Sequence, residues 1–167
     1  MRARVACWML LGGVWAPWAL AQAGPASQSA LIEEGHGAVG RLRVGAPVDI
    51  LGAGLAPVPG AANTYRSTDG HVVVRADAAG NVIAIRVEGG ELFTTHLVRP
   101  GVSTLADVLG GYGRPASTRR QDGVLVLGYP GIEFSFPYAG SGPLSDDAFK
   151  QVLATRVSAI TLLRRAP

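Results

Sequence analysis

Short apolar runs separated by turn-forming residues are the feature that most constrains how this chain can fold. From residue 40 onward, Gly, Pro and Asp-Gly pairs divide the sequence into runs rich in Val, Ile, Leu and aromatic residues. The runs cover residues 40–44, 64–68, 71–76, 82–88, 92–98, 124–129 and 132–136. Such runs are typical of β-strands, and Asp77–Asn81 has the composition of a hairpin turn. The sequence therefore predicts antiparallel strands that follow one another along the chain.

One stretch has the spacing of a helix instead. Four apolar residues recur at i, i+3, i+4 and i+7 and would share one helix face: Leu105, Val108, Leu109 and Tyr112. Ser103 stands where an N-cap residue is expected, and glycines that can close a helix follow the apolar residues. A helix this short is stable only when its apolar face is packed, so we expect it to lie on a sheet.

The strand pattern occurs twice in the chain. Val82–Val87 and Val157–Leu162 share the pattern Val-x-Ala-Ile-x-aliphatic, and Val72–Ala76 aligns with Ile132–Phe136. A glycine and a candidate helix precede each pair of strands, and the first of these helices would lie within Gly45–Leu55. The similarity is either an internal duplication, which we favour, or a chance match between short β-motifs.

These patterns together predict an α+β fold. We expect two tandem units, each a short helix followed by an antiparallel β-meander, which form a sheet with the helices on one face. The length suits one compact domain. The predicted boundaries are a signal peptide at residues 1–23, a flexible leader at 24–40, a first unit at 41–91, and a second unit at 92–167 with a helical insertion at 144–154.

The first residues have the organisation of a secretory signal peptide. Arg2 and Arg4 make a basic start, Val5–Trp15 is non-polar, and either Ala19–Ala21 or Ala21–Ala23 offers small residues for cleavage. The alternative is a transmembrane helix, which would need about 20 apolar residues without the small-residue exit. We therefore expect a periplasmic or secreted protein with no membrane span after signal cleavage. Because Cys7 lies in the non-polar run, the exported chain should contain no cysteine.

The charge distribution argues against a nucleic-acid partner. The formal net charge of +3 includes Arg2 and Arg4 and falls to about +1 once a signal peptide is removed. The remaining basic side chains are scattered, with adjacent pairs at Arg119–Arg120 and Arg164–Arg165. Nucleic-acid-binding domains carry clustered basic patches. We therefore expect no nucleic-acid binding. The partner that we expect is an unknown envelope or secreted protein.

No motif predicts catalysis, a metal site or a cofactor. Gly35–Gly40 matches GxGxxG letter for letter, but no clear strand pattern precedes it, and a strand pattern follows where a helix is required. His36, His71 and His96 lack the spacing of metal ligands, and no serine lies in a Gly-x-Ser-x-Gly motif. We expect a protein that is not an enzyme, with no catalytic residue, no cofactor and no metal.

Strand alternation predicts a surface for binding. Ile132, Phe134 and Phe136 would point into the core. If the repeat alignment holds, six residues would project from the opposite side of the sheet, and we call them the partner face: Val73, Arg75, Arg86, Glu133, Ser135 and Thr161. Arginine is favoured at protein interfaces. The other interpretation of these residues is an ordinary solvated sheet face.

The helical stretch also carries a resemblance. Gly101–Pro115, GVSTLADVLGGYGRP, resembles the Gly-hydrophobic-Thr/Ser…Val-Leu…Gly-x-Pro signature of small bacterial envelope proteins. These are the SmpA/OmlA outer-membrane assembly lipoproteins and the tandem-repeat β-lactamase inhibitor protein. Gly131–Phe136 and Val157–Leu162 are similar to their sheet strands. The resemblance implies a non-catalytic protein-binding module that meets its partner through the sheet face left free by the helices. Lipid anchoring is not carried over from the resemblance, because the lipoprotein cysteine is missing.

The sequence leaves two functional hypotheses. The first is a periplasmic or secreted non-catalytic module that binds another protein, as an inhibitor, an immunity-type protein or an envelope accessory protein. The alternative is a protein that binds a small ligand or a cell-wall glycan in a pocket between the helices and the sheet. An uncovered sheet face would favour the first hypothesis, and a covered sheet with a deep polar pocket would favour the second.

Overall fold

A computed structural model describes residues 30–140, 150 and 152–164. The first strands are β1 (Leu31–Glu33), β2 (Ala38–Val39), β3 (Leu42–Arg43), β4 (Leu55–Pro57), β5 (Thr64–Ser67), β6 (Val72–Ala76), β7 (Val82–Val87) and β8 (Phe93–Thr94). They are followed by helix α1 (Leu105–Tyr112), β9 (Ser117–Gln121), β10 (Val124–Tyr129), β11 (Ile132–Pro137) and β12 (Ala159–Leu163). The predicted signal peptide lies outside the described residues, as does most of the predicted insertion, of which Lys150, Val152 and Leu153 are helical.

Eight of the strands form one large antiparallel sheet in the order β4-β5-β6-β7-β12-β11-β10-β9. Each half is a four-stranded meander, and the two meanders are joined by the pairing of β7 with β12, where Val87 lies opposite Ile160 and Ile85 opposite Leu162. The repeated sequence patterns fall on β6 and β11 and on β7 and β12, which occupy equivalent positions on either side of this junction.

A second, four-stranded sheet has the order β3-β2-β1-β8, with β1 parallel to β8. Ile32 and Leu42 of this small sheet share one buried cluster with Leu105 and Val108 of α1 and with Phe134 of the large sheet. The molecule therefore has two layers, in which the small sheet and α1 together cover one face of the large sheet. No helix among the described residues has the length and apolarity to cross a membrane.

The predicted α+β fold class is wrong, because the described residues are mostly β and form two sheets. The first helix, expected within Gly45–Leu55, is replaced by turns that lead into β4. Its backbone amides are used elsewhere: the Gly45 N–H donates to the Val82 carbonyl at 2.7 Å, and the Val48 N–H donates to the Gly80 carbonyl at 2.9 Å. Tertiary hydrogen bonds to the β6–β7 hairpin thus hold this segment in a non-helical form, and its interior glycines disfavour a helix further.

The N-terminal part of the domain also differs from expectation. Residues 31–33 and 38–39, placed by the sequence in a flexible leader, form β1 and β2. Only Phe93–Thr94 of the strand expected at 92–98 is extended, and it pairs with β1. These strands have two or three residues each, too few for alternation to show in the sequence.

Helix α1 is confirmed, but its N-cap is Thr104 in place of Ser103. The Thr104 hydroxyl accepts from the Asp107 N–H at 3.3 Å, and the Asp107 carboxylate accepts from the Thr104 N–H at 2.7 Å. Hydrogen bonds from the backbone and hydroxyl of Thr104 lower the pKa of Asp107. The Ser103 hydroxyl instead accepts from the Arg99 N–H at 3.0 Å. Gly113 closes the helix at a φ of 71°.

One carboxylate ties the small sheet to the helix. Oε1 of Glu34 accepts from the Thr95 N–H at 2.8 Å, from the Thr95 hydroxyl at 3.0 Å and from the Tyr112 hydroxyl at 2.6 Å. Burial, reinforced by the bond to Glu34, raises the pKa of Tyr112 well above its ordinary value, so this phenol stays a donor. Tyr112 also packs on Phe134, with ring centroids 4.8 Å apart. The chain segments around β1 and α1 are thereby held together over the large sheet.

We predict that Thr104→Ala lowers the free energy of unfolding by about 1 kcal/mol, because an amide of the first helical turn loses its acceptor. Thr104→Ser keeps the hydroxyl and should lose much less. Urea unfolding of both variants measures the difference. Equal losses in the two variants would contradict the capping assignment.

Candidate functional site

The two faces of the large sheet differ in character. The largest side chains on the face toward α1 and the small sheet are buried: Val74, Ile85, Leu125, Phe134, Phe136, Ile160 and Leu162. The prediction that Ile132, Phe134 and Phe136 belong to the core is confirmed. Because side chains alternate along a strand, the residues between these positions point to the opposite face. That face carries the polar and charged side chains.

The opposite face forms a groove with a cavity volume of about 400 Å³. Six neighbouring strands contribute to it, from β6 across β7, β12, β11 and β10 to β9. All six residues of the predicted partner face line this groove: Val73, Arg75, Arg86, Glu133, Ser135 and Thr161. The structure therefore brings the partner face together on one surface, and its role in binding stays a prediction.

Strand register explains why these residues meet. Val73 lies opposite Arg86 in the β6–β7 pair, Arg86 lies opposite Thr161 in the β7–β12 pair, and Thr161 lies opposite Glu133 in the β12–β11 pair. Directly opposed residues in antiparallel strands share a face of the sheet. One row of side chains thus runs across four strands and both halves of the molecule.

The groove has a floor of small side chains and walls of long ones. Ala84 and Ser135 are buried, and Thr161 is half-buried. Arg75 on β6 and Arg119 on β9 are exposed. Since β6 and β9 are five strand spacings apart in the sheet order, the groove extends over about 24 Å of the sheet, measured across the strands.

A β-bulge lies beside Arg75. Arg75 pairs with Ala84 but the next residue, Ala76, pairs with Val82, so Ile83 has no partner across the ladder. Bulges bend a strand and increase its local twist. The irregularity therefore contributes to the curvature of the β6 side of the groove.

Charged side chains on this face carry both signs, with cations in excess. They are Arg66, Arg75, Arg86, Arg119, Glu88 and Glu133, which together give a net charge of +2. Arg75 forms no hydrogen bond or ion pair within the described part of the chain. The surface is therefore moderately basic, and Arg75 has no counter-ion among the residues that the structure describes.

The other three arginines are paired. Nη2 of Arg119 donates to both carboxylate oxygens of Glu133 at 2.8 Å. Glu88 bridges two arginines, accepting from Arg86 Nε at 2.8 Å and from Arg66 Nη1 at 3.2 Å. Burial opposes ionisation of Glu88, but Arg86 and Arg66 outweigh it and lower the pKa of this carboxyl.

Sequence reasoning missed the contribution of β9 to the groove, including Arg119 and Gln121. All five residues of β9 are polar and exposed, so the strand has no apolar alternation to detect. The signal that could have revealed it is the Asp122–Gly123 turn, where both residues have positive φ angles, of 49° and 75°. An Asp-Gly pair with these angles joins two strands in a tight hairpin, so the strand at β10 implied a partner before the turn.

A second cavity, of about 480 Å³, lies between α1 and the sheet. Its lining is mainly apolar and includes Leu105, Leu109, Pro115, Leu125 and Leu127. A glycan site needs polar groups that hydrogen-bond to sugar hydroxyls. This cavity therefore does not have the chemistry of a glycan site.

The three histidines do not converge. His36 lies 3.5 Å from the Glu33 carboxylate, whereas the ring of His96 packs against that of Tyr112 at an interplanar angle of 58°, with centroids 4.5 Å apart. No group of three or more His, Cys, Asp or Glu side chains suited to a metal ion occurs within residues 30–140, 150 and 152–164.

Comparison with known proteins identifies no family for this chain. No protein-family model matches it, and no curated protein matches it. The crystal structure of the uncharacterized protein yfeY from Escherichia coli matches at 20% sequence identity and a TM-score of 0.46, covering 66% of this chain and 79% of that chain. Similarity at this level identifies neither a family nor a function. The resemblance to the SmpA/OmlA and β-lactamase inhibitor proteins stays a prediction.

We predict that Arg86→Gln raises the pKa of Glu88 toward the ordinary glutamate range of about 4.3, because the variant removes a cation that favours the carboxylate. Because the pKa of Glu88 is lower in the folded state, its ionised carboxylate stabilises the fold at pH values above the ordinary glutamate pKa. This stability is lost as the pH falls through the lowered pKa. A carbon-13 NMR titration of the Glu88 carboxyl measures the change. Arg43→Gln, on the exposed surface of β3, is the control, and equal midpoints in the two variants would contradict the assignment.

Proposed function

We propose that this protein is a periplasmic or secreted non-catalytic module that binds another protein through the groove of its large sheet. One observation carries the proposal. The apolar face of the eight-stranded sheet is buried under α1 and the small sheet, while the opposite face is a groove with exposed walls. The proposed compartment rests on the predicted signal peptide. In this proposal the protein acts on its partner as an inhibitor, an immunity-type protein or an envelope accessory protein.

The extent and composition of the groove support a protein partner. It spans six strands, about 24 Å measured across the strands, so an extended surface of a partner can contact it. Its surface alternates apolar side chains such as Val73, Val126 and Leu163 with arginines. Apolar contacts combined with arginine anchors are a usual composition for a protein-binding surface.

The alternative hypothesis, a small-ligand or glycan pocket between helix and sheet, has less support. The cavity in that position is apolar and is lined by leucines from α1 and β10. A ligand in this cavity would have to be apolar. The charged side chains of the groove, on the opposite face of the sheet, would take no part in binding it. The groove therefore supports protein binding better.

Site-specific photo-cross-linking tests the proposal. A photoreactive phenylalanine derivative replaces Thr161 on the groove floor, and in a control chain it replaces Leu51, which is 94% exposed and outside the groove. In cells that naturally make the protein, we expect a covalent adduct to another protein at position 161 and none at position 51. Adducts only to small molecules at position 161, or the same adducts at both positions, would contradict the proposal.

A further inference from the structure

We infer that the partner of the groove is a protein surface bearing spaced carboxylate side chains, and that Arg75 is the residue that recognises it. This inference rests on the proposed function and adds the chemistry of the partner. It follows from the way in which charge is distributed over the groove.

The charges on the groove are not self-compensating. Glu133 is engaged by Arg119, and Glu88 is shared between Arg86 and Arg66, so both carboxylates of this face already have partners. Arg75 is exposed and has no hydrogen bond or ion pair among the residues described. A carboxylate on the partner would give Arg75 the counter-ion that the described residues of its own chain do not supply.

The position of Arg75 suits this role. It lies on the groove wall, where a guanidinium stays hydrated in the free protein and can donate two parallel hydrogen bonds to a carboxylate. The half-buried Val73 lies two residues before it on the same face and offers apolar contact area next to the charge. A hydrated cation beside apolar surface matches the edge of a protein interface, where charge steers association and sets specificity.

The two glutamates argue against a nucleic acid or another continuous polyanion. Glu133 lies near the middle of the groove, and Glu88 directly follows β7, between Arg86 and Arg66. A chain with a negative charge on every unit would place charges opposite these carboxylates as well as opposite the arginines, and the unfavourable contacts would offset part of the attraction. A protein surface can place its acidic residues opposite the arginines and leave neutral groups opposite the glutamates.

The test uses the protein expressed from its full sequence, labelled with nitrogen-15 and purified after export. The probe is a twelve-residue peptide of alternating Glu and Ser, and the control probe is the matching Gln-Ser peptide. At low salt we expect the acidic peptide to shift amide signals of β6, β7, β11 and β12, and the neutral peptide to shift none. Arg75→Glu should weaken binding by at least about tenfold, while Arg75→Lys weakens it less.

Arg43→Glu is the matched control, because it makes the same charge change at an exposed position on the small sheet, outside the groove. It should leave binding of the acidic peptide unchanged. Equal effects of Arg43→Glu and Arg75→Glu, equal binding of the two peptides, or tighter groove binding by a single-stranded oligonucleotide would overturn the inference.

The cross-linking experiment separates this inference from the proposed function. If a protein is captured at position 161 and Arg75→Glu leaves the capture unchanged, the groove is a binding face but its partner is not selected by acidic residues. If nothing is captured at position 161, both the function and the inference fail. Capture that Arg75→Glu abolishes and Arg43→Glu preserves supports both.

Discussion

The pairing of β7 with β12 is the interaction on which the rest of the structure depends. It joins two four-stranded meanders into one sheet and places Arg86 directly opposite Thr161. Because side chains alternate with a period of two, a slip of one residue at this junction would turn the apolar side chains of one half toward solvent. The register therefore fixes a common core face and a common groove face for both halves.

The covered face and the open face follow from one asymmetry. The small sheet and α1 supply apolar groups to one side of the large sheet, and the Glu34 carboxylate holds these two elements together through Thr95 and Tyr112. On the other side, arginine and glutamate side chains line the groove and pair with one another in part. Charged side chains on that side stay hydrated, so this face of the antiparallel sheet is compatible with contact to water.

Sequence reasoning located the strongly patterned elements and failed where the pattern was short or absent. The strand at Val124–Tyr129, the helix at Leu105–Tyr112 and the buried set around Phe134 were predictable because their alternation or helical spacing extends over many residues. The same alternation made it possible to predict that the six partner-face residues share one side of the sheet. The helix expected at 45–55 does not form, because backbone amides of this segment donate to the β6–β7 hairpin. Strand β9 consists of exposed polar residues, so its sequence has no apolar alternation.

Cysteine labelling tests most directly whether the large sheet has one buried face and one open face. In a chain with Cys7 replaced by serine, a single cysteine is placed either at Thr161 on the groove floor or at its neighbour Ile160 in the core, and its reaction with a maleimide is timed under native conditions. The structure predicts fast labelling at position 161 and strong protection at position 160, with both positions labelled equally after unfolding. Equal protection at the two positions in the native protein would show that the groove face is covered and would contradict the account.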